Sequence, residues 1–396
     1  MPVPPAPAAS ARVYLDHAAT TPMVPEAVAA MTRELTRVGN ASALHGSGRA
    51  ARRVIEESRE LIAARVGARP AELIFTSGGT ESDNLAVKGA YWSRRDADRR
   101  RVVVSAIEHH AVLDSASWLA AAEGAELDLI GVDAAGRLDL AAAERLVDER
   151  TAVVSVLAGN NEVGTRQPVA AVAALAAAVG AVSHSDAVQA VGHVEVDFAA
   201  SGLDLMTFTA HKLGGPYGIG ALLARRQVAL TSVQHGGGQE RDVRSGTLDV
   251  AAVAAFAAAV EVAVSDLAAE EARLRALRAE LVAAVTASVP GTILHGTLEA
   301  EASLPGISNF GFADCAADSV LMLLDAAGLD CSAGSACSAG VAQPSHVLTA
   351  MGVAEAGARS ALRFSLGRSS TRADVHALVA ALPDAVQRAR AAAAFV

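Results

Sequence analysis

Short β-rich runs alternate with segments of helical periodicity through the first two-thirds of the chain. Between positions 169 and 182, valine and leucine recur three or four residues apart, which predicts one face of a helix with Pro168 at its first turn. Strands that alternate with helices are typical of a mainly parallel sheet covered on both faces. The predicted strands are 73–76, 101–105, 126–130, 152–157, 181–184, 204–209 and 219–224.

The pattern changes beyond about residue 248, where helix follows helix as far as residue 288. The remainder mixes predicted strands at 307–312 and 362–366 with helices, as an α+β unit does. We therefore expect a loose Pro/Ala-rich tail over 1–12, a large domain over 13–260 and a small C-terminal domain over 261–396.

Composition narrows the class of protein. Of 396 residues, 52% are hydrophobic and 19% charged, which excludes disorder as the dominant state. A formal charge of −10 argues against nucleic acid as a partner. Three cysteines do not make a disulfide framework, and a reducing, cytoplasmic setting is expected. The N-terminus lacks the pattern of a secretory signal, and no apolar run reaches the ~20 residues of a membrane span, so no membrane partner is expected.

The ends of the predicted strands carry the candidate chemistry, because ligands of parallel sheets bind at the carboxyl ends of strands. Strand 73–76 is followed by SGGTESDN, in which two glycines precede a helix. Exposed backbone N–H groups and the hydroxyl of Thr80 there would form a phosphate cup. An ordinary strand–turn–helix with a good N-cap is the alternative, since the spacing matches neither common phosphate-binding motif.

Further polar residues follow the other strands, namely Glu108-His109-His110, Asn160-Asn161-Glu162, Asp186 with Gln189, and His211-Lys212. Each alone fits a structural histidine or a helix cap. Together with a phosphate cup they fit pyridoxal phosphate. Lysine forms a Schiff base with its aldehyde, which arginine cannot do, and a carboxylate pairs with its pyridine nitrogen. Next to a cation, Asp186 is expected to stay ionised.

Lysine usage supports this interpretation, because only Lys88 and Lys212 among 33 basic residues are lysine. A lysine kept where arginine is otherwise used suggests chemistry that a guanidinium cannot perform. The alternative is that codon bias replaced most lysines by arginine and that these two lysines remained by chance.

A third element is the segment around Cys337, CSAGSACSAG, in which small residues make a thiol accessible. Sulfur chemistry requires a thiolate, and no cation is adjacent in sequence to generate one. A tightly packed turn is the alternative. Cys315 and Cys331 are expected to be buried small residues, although a redox or metal pair of Cys331 with Cys337 remains open.

The chain resembles the cysteine desulfurases, a family of fold-type I pyridoxal phosphate enzymes with a large α/β domain and a smaller α+β domain. The resemblance covers nearly the whole chain, in order. It rests on YLDHAATTP, FTSGGTESDNLAVKGA, EHHAVLD, NNEVG, HSDAVQAVG, AHKLGGPYGIGAL, HGGGQERDVRSGT, GSACSAGVAQPSHVL and LRFSLG.

Matched position by position, the resemblance assigns roles to individual residues. It implies catalytic roles for Cys337, which accepts sulfur, for Lys212, which forms the Schiff base, and for His109, which stacks on the ring. The other implied contacts are Asp186 at the pyridine nitrogen, Asn161 and Gln189 at the phenolic oxygen, Gly79, Thr80, Thr209 and His211 at the phosphate, Thr247 at the phosphate from the other subunit, and Asn161 and Arg363 at the substrate.

The implied reaction converts L-cysteine to L-alanine and leaves the sulfur as a persulfide on Cys337. The resemblance also implies a homodimer, a sulfur-acceptor protein such as an iron–sulfur scaffold, and no metal site of the chain's own. The proline-rich beginning of the chain departs from the family pattern. The chain also stops soon after LRFSLG, where some members carry a longer tail that docks the scaffold.

Other functions would use some of the same residues. A selenocysteine lyase or an aminotransferase of the same fold would keep the cofactor, but plain transamination needs no thiol. A non-enzymatic sulfur carrier would need Cys337 but not the cofactor residues. A metal hydrolase lacks a supporting spacing motif, and its candidate ligands would be His109, His110, His184, Asp186 and His193.

Overall fold

The structure is a computed structural model that describes residues 12–95, 98–333 and 344–394. Its strands are β1 Val13–Tyr14, β2 Leu73–Thr76, β3 Arg101–Ser105, β4 Glu126–Ile130, β5 Thr151–Ser155, β6 Val182–Asp186, β7 Leu205–Thr209, β8 Gly220–Ala224, β9 Thr292–His295, β10 Ile307–Phe312, β11 Leu329–Asp330, β12 Ser332–Ala333 and β13 Ala361–Ser365.

The helices are α1 Pro25–Leu35, α2 Gly46–Arg65, α3 Gly79–Arg94, α4 His110–Glu123, α5 Leu140–Leu146, α6 Val169–Val179, α7 Phe198–Ser201, α8 Val250–Ser265, α9 Leu267–Ser288, α10 Ala317–Ala326, α11 His346–Ala350, α12 Glu355–Arg359 and α13 Arg372–Ala393. Short 3₁₀ turns occur at Pro70–Glu72, Ala210–Lys212 and Ala300–Ala302.

A seven-stranded sheet forms the centre of the larger part, in the order β2-β8-β7-β6-β5-β3-β4. Pairing is parallel from β7 across to β4, and β8 is antiparallel to both of its neighbours. The mainly parallel sheet is therefore confirmed. The predicted strand bounds differ from the observed ones by at most two residues.

The helix predicted over 169–182 is shorter than its hydrophobic pattern. α6 ends at Val179 because Gly180 adopts a left-handed conformation with φ of 69°, which stops the helix. Val182 consequently lies in β6, where it is buried, and Pro168 is the N-cap rather than a first-turn residue. The hydrophobic pattern continues beyond the end of α6 because valine is buried both in this helix and in the following strand, β6.

A four-stranded antiparallel sheet forms the centre of the smaller part, in the order β12-β13-β10-β9. Phe310, Phe312 and Phe364 alternate with polar positions and pack in one core with apolar residues of α9, α10 and α13. The other face carries Asn309 and Arg363, which are cross-strand partners. The strand predicted over 362–366 lies one residue earlier, because Ala361 pairs with Gly311.

Among the described residues, no single helix is both long and apolar enough to cross a membrane. The consecutive helices α8 and α9 meet the conditions of length and hydropathy only when taken together, and they are bent by 70° with respect to each other.

Candidate active site

A cavity of about 350 Å³ opens where the central sheet meets the smaller one. It lies at the carboxyl ends of β6 and β7 and at the first turn of α3. Ten of the predicted site residues line it, namely Gly79, Thr80, His109, Asn161, Asp186, Gln189, Thr209, His211, Lys212 and Arg363.

The first turn of α3 forms one wall of the cavity. Gly78, the N-cap, has φ of 152°, a conformation that side chains disfavour, and a Cβ at Gly220 would lie 2.8 Å from its backbone. Gly79 and Thr80 follow, so the unpaired N–H groups and the positive end of the helix dipole point into the cavity. This wall suits an anionic group such as a phosphate.

Lys212 follows β7 on a 3₁₀ turn and reaches back across the cavity. Its Nζ donates hydrogen bonds to the carbonyl of Ala18 and, at 2.7 Å, to that of Ala19. Burial, assisted by the positive charge of Arg363, lowers the pKa of Lys212 to about 8. An amine with this pKa is available as a nucleophile and as a base near neutral pH.

Asp186 is the last residue of β6, and its Oδ1 accepts a hydrogen bond of 2.9 Å from the N–H of Val188. Burial raises the pKa of Asp186, against the expectation of an ordinary ionised aspartate. The reason lies in the fold, which desolvates the carboxyl group more than the positive charges of His109 and Lys212 and the N–H of Val188 offset. A second carboxyl group, that of Asp83, lies beside it.

Asp83 was missed by the reasoning from sequence. It projects from α3 one turn after Gly79, and this spacing of four residues was the available signal.

The Thr207 hydroxyl lies 3.0 Å from Nε2 of His184, and Ser155 Oγ lies 2.8 Å from Nδ1 of that ring. We call Asp83, His184, Asp186 and Thr207 the cavity floor.

Arg363 of β13 reaches the cavity from the smaller sheet. Its Nη1 donates to the carbonyl of Asn161 at 2.9 Å, and its Nη2 donates to Oδ1 of Asp16 at 2.7 Å. Sequence reasoning also missed Asp16. Its carboxylate therefore occupies part of a guanidinium that is suited to binding a carboxylate through two hydrogen bonds. We call Asp16, Asn161 and Arg363 the cavity rim.

The remaining predicted cofactor residues have local partners as well. His109 caps α4 through a 3.1 Å hydrogen bond from the N–H of Ala111 to its Nδ1, and its ring is exposed. Gln189 Nε2 donates to the Ala18 carbonyl at 2.8 Å, and the Thr209 hydroxyl donates to the Ile219 carbonyl at 3.1 Å. The ring of His211 stacks on Tyr217, and burial lowers the pKa of His211 to about 4.

Two predicted residues are not brought to the cavity by the described part of one chain. Thr247 is exposed in a loop and is not among the described residues that line the cavity. Cys337 lies outside the described residues. Of the other cysteines, Cys315 is buried, whereas Cys331 is only partly so, and burial raises the pKa of the Cys331 thiol to about 12.

Two buried glutamates lie at the edge of the cavity region. Glu162 accepts a hydrogen bond of 2.6 Å from the hydroxyl of Ser345, and the ring of His346 lies 2.9 Å from the Glu108 carbonyl oxygen. Burial raises the pKa of Glu108 to about 8 and that of Glu162 to about 7. These contacts hold the residues that directly follow the segment containing Cys337.

The histidines proposed for a metal hydrolase do not come together. His110 pairs with Asp114 at 3.3 Å on the surface, and His184 is held in the cavity floor. Within 12–95, 98–333 and 344–394, one set of three groups with metal-ligand atoms lies within 4.8 Å, and it consists of Asp83, His109 and Asp186 at the cavity.

The cavity residues fit pyridoxal phosphate. The amine of Lys212 suits its aldehyde, the exposed ring of His109 suits its flat face, and the N-terminus of α3 suits its phosphate. At Gly79, which lines the cavity, a Cβ would lie 3.1 Å from Val188, so glycine avoids a tight contact in this wall. Asp186 supplies the carboxyl group for the pyridine nitrogen.

Comparison with known proteins agrees with this fit. Residues 13–378 match the model of the aminotransferase class-V family. The chain is 54% identical over 384 residues to the IscS-like cysteine desulfurase of Mycobacterium tuberculosis, covering 96% of this chain and 98% of that one.

Solved structures are similar over the same extent. A NifS-like protein superimposes with a TM-score of 0.86 at 32% identity, over 97% of this chain and all (100%) of that one. A structure of SspA in complex with cysteine has a TM-score of 0.79 at 31% identity, over 89% and 98% of the two chains. The chain therefore belongs to the class-V aminotransferase family of pyridoxal phosphate-dependent enzymes and stands among its cysteine desulfurases.

Proposed function

We propose that this protein converts L-cysteine to L-alanine and that Cys337 receives the sulfur as a persulfide. The observation that carries the proposal is the meeting of Lys212, Asp186, the N-terminus of α3 and Arg363 in one cavity. This combination supplies an amine, a carboxyl group, a phosphate site and a carboxylate site. The relatives named cysteine desulfurases support the choice of substrate.

The cofactor would be held from four sides. Gly79 and Thr80, with Thr209 and His211, would bind the phosphate, and Asp186 would hold the proton of the pyridine nitrogen. Pyridoxal phosphate, when bound, supplies an aldehyde that condenses with amines and a ring that accepts electrons. The remaining contacts would be His109 on the ring face and Asn161 and Gln189 at the phenolic oxygen.

The cavity rim would orient the substrate. Arg363 presents a planar fork that binds a carboxylate through two hydrogen bonds, and Asn161 lies directly beside it. The substrate carboxylate would replace or share the contact of Arg363 with Asp16. Because Lys212 lines the same cavity as Arg363, its amine with its lowered pKa would remove the α-proton of a substrate held there.

The thiol of Cys337 would then take the sulfur. Its sulfur would form a bond to the substrate sulfur while the bond between that sulfur and the β-carbon breaks. The β-carbon would gain the proton that the Cys337 thiol gave up, and the α-proton would return to the α-carbon, so the products are alanine and a persulfide. The described residues on both sides of Cys337 support this role. Ser332 pairs with Arg363 across the smaller sheet, and Ser345 is held by Glu162.

The assembly and setting belong to the same proposal. A homodimer would bring the exposed Thr247 of one subunit to the phosphate site of the other, and Thr247→Ala should then weaken cofactor binding without changing the fold.

We infer a large domain over 13–260 and a small one over 261–396. A cytoplasmic location and a sulfur-acceptor protein, such as an iron–sulfur scaffold, complete the proposal.

A single-turnover assay tests the reaction. Parent protein loaded with pyridoxal phosphate should be yellow and should release alanine and form persulfide in equal amounts from L-cysteine. Cys337→Ser should stay yellow and form neither product. Cys331→Ser is the matched control and should behave as the parent does, because the raised pKa of Cys331 leaves little thiolate.

Two outcomes would contradict the proposal. If Cys337→Ser makes alanine at the parent rate, Cys337 is not the acceptor and a lyase acts instead, with selenocysteine as the substrate to try next. If the parent stays colourless when pyridoxal phosphate is added, the cofactor assignment is wrong.

A further inference from the structure

The cavity floor places two carboxyl groups side by side in a desolvated region. Asp83 is 1% exposed and Asp186 is 8% exposed, and they are the only buried aspartates among the residues that the structure describes. Ligand atoms of Asp83, Asp186 and His109 all lie within 4.8 Å of one another. Two carboxylates this close and this dry repel each other, and this favours a proton on one of them.

The surroundings of the two groups differ. The positive charge of His109, the N–H of Val188 and the positive charge of Lys212 all stabilise the anionic form of Asp186. Asp83 receives only the Thr207 hydroxyl, and its Oδ1 has no hydrogen-bond partner within the described chain.

Apart from His109, whose ring also lies near Asp186, the other groups that face Asp83 bring no positive charge to it, and no positive charge is among the causes that shift the pKa of Asp83. His184 Nε2 lies 3.7 Å from Oδ1 of Asp83, but burial lowers the pKa of His184 to about 3, so this ring is neutral. Glu108, which precedes α4, adds negative character when ionised, and burial raises its pKa to about 8. Burial, together with the negative charge of Asp186, raises the pKa of Asp83 well above its usual value.

We propose that Asp83 carries a proton in the assembled enzyme, so that Asp186 alone is the anion facing the cofactor. Asp83 is then a positioning residue, which acts on the pyridine nitrogen only through Asp186. One negative charge meets one pyridine N–H, whereas two would leave an unpaired buried charge. The inference rests on the proposed cofactor placement and adds to it the protonation state of a residue outside the predicted site.

Infrared spectroscopy of the full-length, cofactor-loaded protein tests this directly. Aspartate labelled with carbon-13 in its side-chain carboxyl moves the absorption of a protonated aspartic acid and leaves that of glutamic acid in place. The parent at neutral pH should show one label-sensitive band of a protonated carboxyl group. Asp83→Asn should lose this band, because asparagine has the same shape and the same neutral charge but no carboxyl group.

Glu108→Gln is the matched control, because it removes another buried carboxyl group next to the floor. It should lose an absorption that the aspartate label does not move, and the label-sensitive band should remain. Raising the pH should remove that band from the parent, as Asp83 finally ionises.

Two results would overturn the proposal: no label-sensitive protonated band in the parent, or persistence of that band in Asp83→Asn, which would place the proton on Asp186. The parent spectrum decides the first even if the variant does not fold. Neither result depends on turnover, so a failure of this proposal is separate from a failure of the desulfurase reaction, which the alanine assay reports.

Discussion

The cavity floor and the cavity rim handle charge in opposite ways. At the rim, the guanidinium of Arg363 meets the carboxylate of Asp16 at 2.7 Å, so each charge has a partner of opposite sign. At the floor, Asp83 and Asp186 are carboxyl groups with no arginine or lysine between them in the described chain. Asp186 accepts a backbone N–H and Asp83 a hydroxyl, and Oδ1 of Asp83 has no hydrogen-bond partner among the described residues. The guanidinium of the rim can exchange the carboxylate of Asp16 for that of the substrate. At the floor, by contrast, the protonation of the two carboxyl groups is fixed before the substrate binds.

The largest effect is expected at the amine between these two regions. Lys212→Arg should lower the rate of alanine formation by at least about 10³-fold, because a guanidinium neither condenses with an aldehyde nor acts as a base near neutral pH. The assay is alanine release under single-turnover conditions. Lys88→Arg is the control, since Lys88 Nζ contacts Asn84 and the ring of Trp118 away from the cavity, and it should keep the parent rate.

Breaking the rim should weaken substrate binding. Arg363→Lys keeps the charge but loses the planar fork, and the loss of one charge-assisted hydrogen bond costs about 1.5–3 kcal/mol, or roughly 10- to 150-fold in kcat/KM. The change should appear mainly in KM for L-cysteine. Arg368→Lys is the control, because Arg368 donates to the carbonyl of Val262 outside the cavity. An unchanged KM in Arg363→Lys would assign the carboxylate to another residue.

Breaking the floor should cost folding stability. Thr207→Val removes the hydroxyl between His184 and Asp83 at nearly constant volume and leaves buried polar groups unpaired, which lowers the free energy of unfolding by about 1–3 kcal/mol. Denaturant unfolding of the loaded protein measures it. Thr292→Val, at a half-buried hydroxyl near the surface of the smaller sheet, should cost less. Equal losses would mean that the floor network adds nothing specific.

The smallest effect concerns the influence of Asp16, in the rim, on the pKa of the Lys212 amine. Below about pH 8, protonation of Lys212 removes the base, so kcat should fall as the pH is lowered through this value. The negative charge of Asp16 helps to hold the pKa of Lys212 up, and Asp16→Asn should therefore move this limb to lower pH. Profiles of kcat against pH for the two proteins test this, and a limb that stays in place would mean that Asp16 does not act on Lys212.

The sequence predicted the central sheet closely, because its strands are short, apolar and separated by helices of clear period. Its errors came at ends: Val182 continued the helical pattern but lies in β6, and Asp186 was placed after a strand that in fact includes it. Motif matching named ten residues that line one cavity. It did not indicate Asp16 or Asp83, because neither residue type is unusual at the start of a chain or on a helix.

The sequence by itself determined the family, the alternation of strands and helices, and the single lysine placed for aldehyde chemistry, since these depend on residue type and order. Only the tertiary structure decided which titratable groups lie close to one another and how deeply they are buried. The pairing of Asp16 with Arg363 spans 347 positions, and Asp83 meets Asp186 across α3 and β6. Protonation depends on distance and burial, and both are properties of the folded chain rather than of any segment of it.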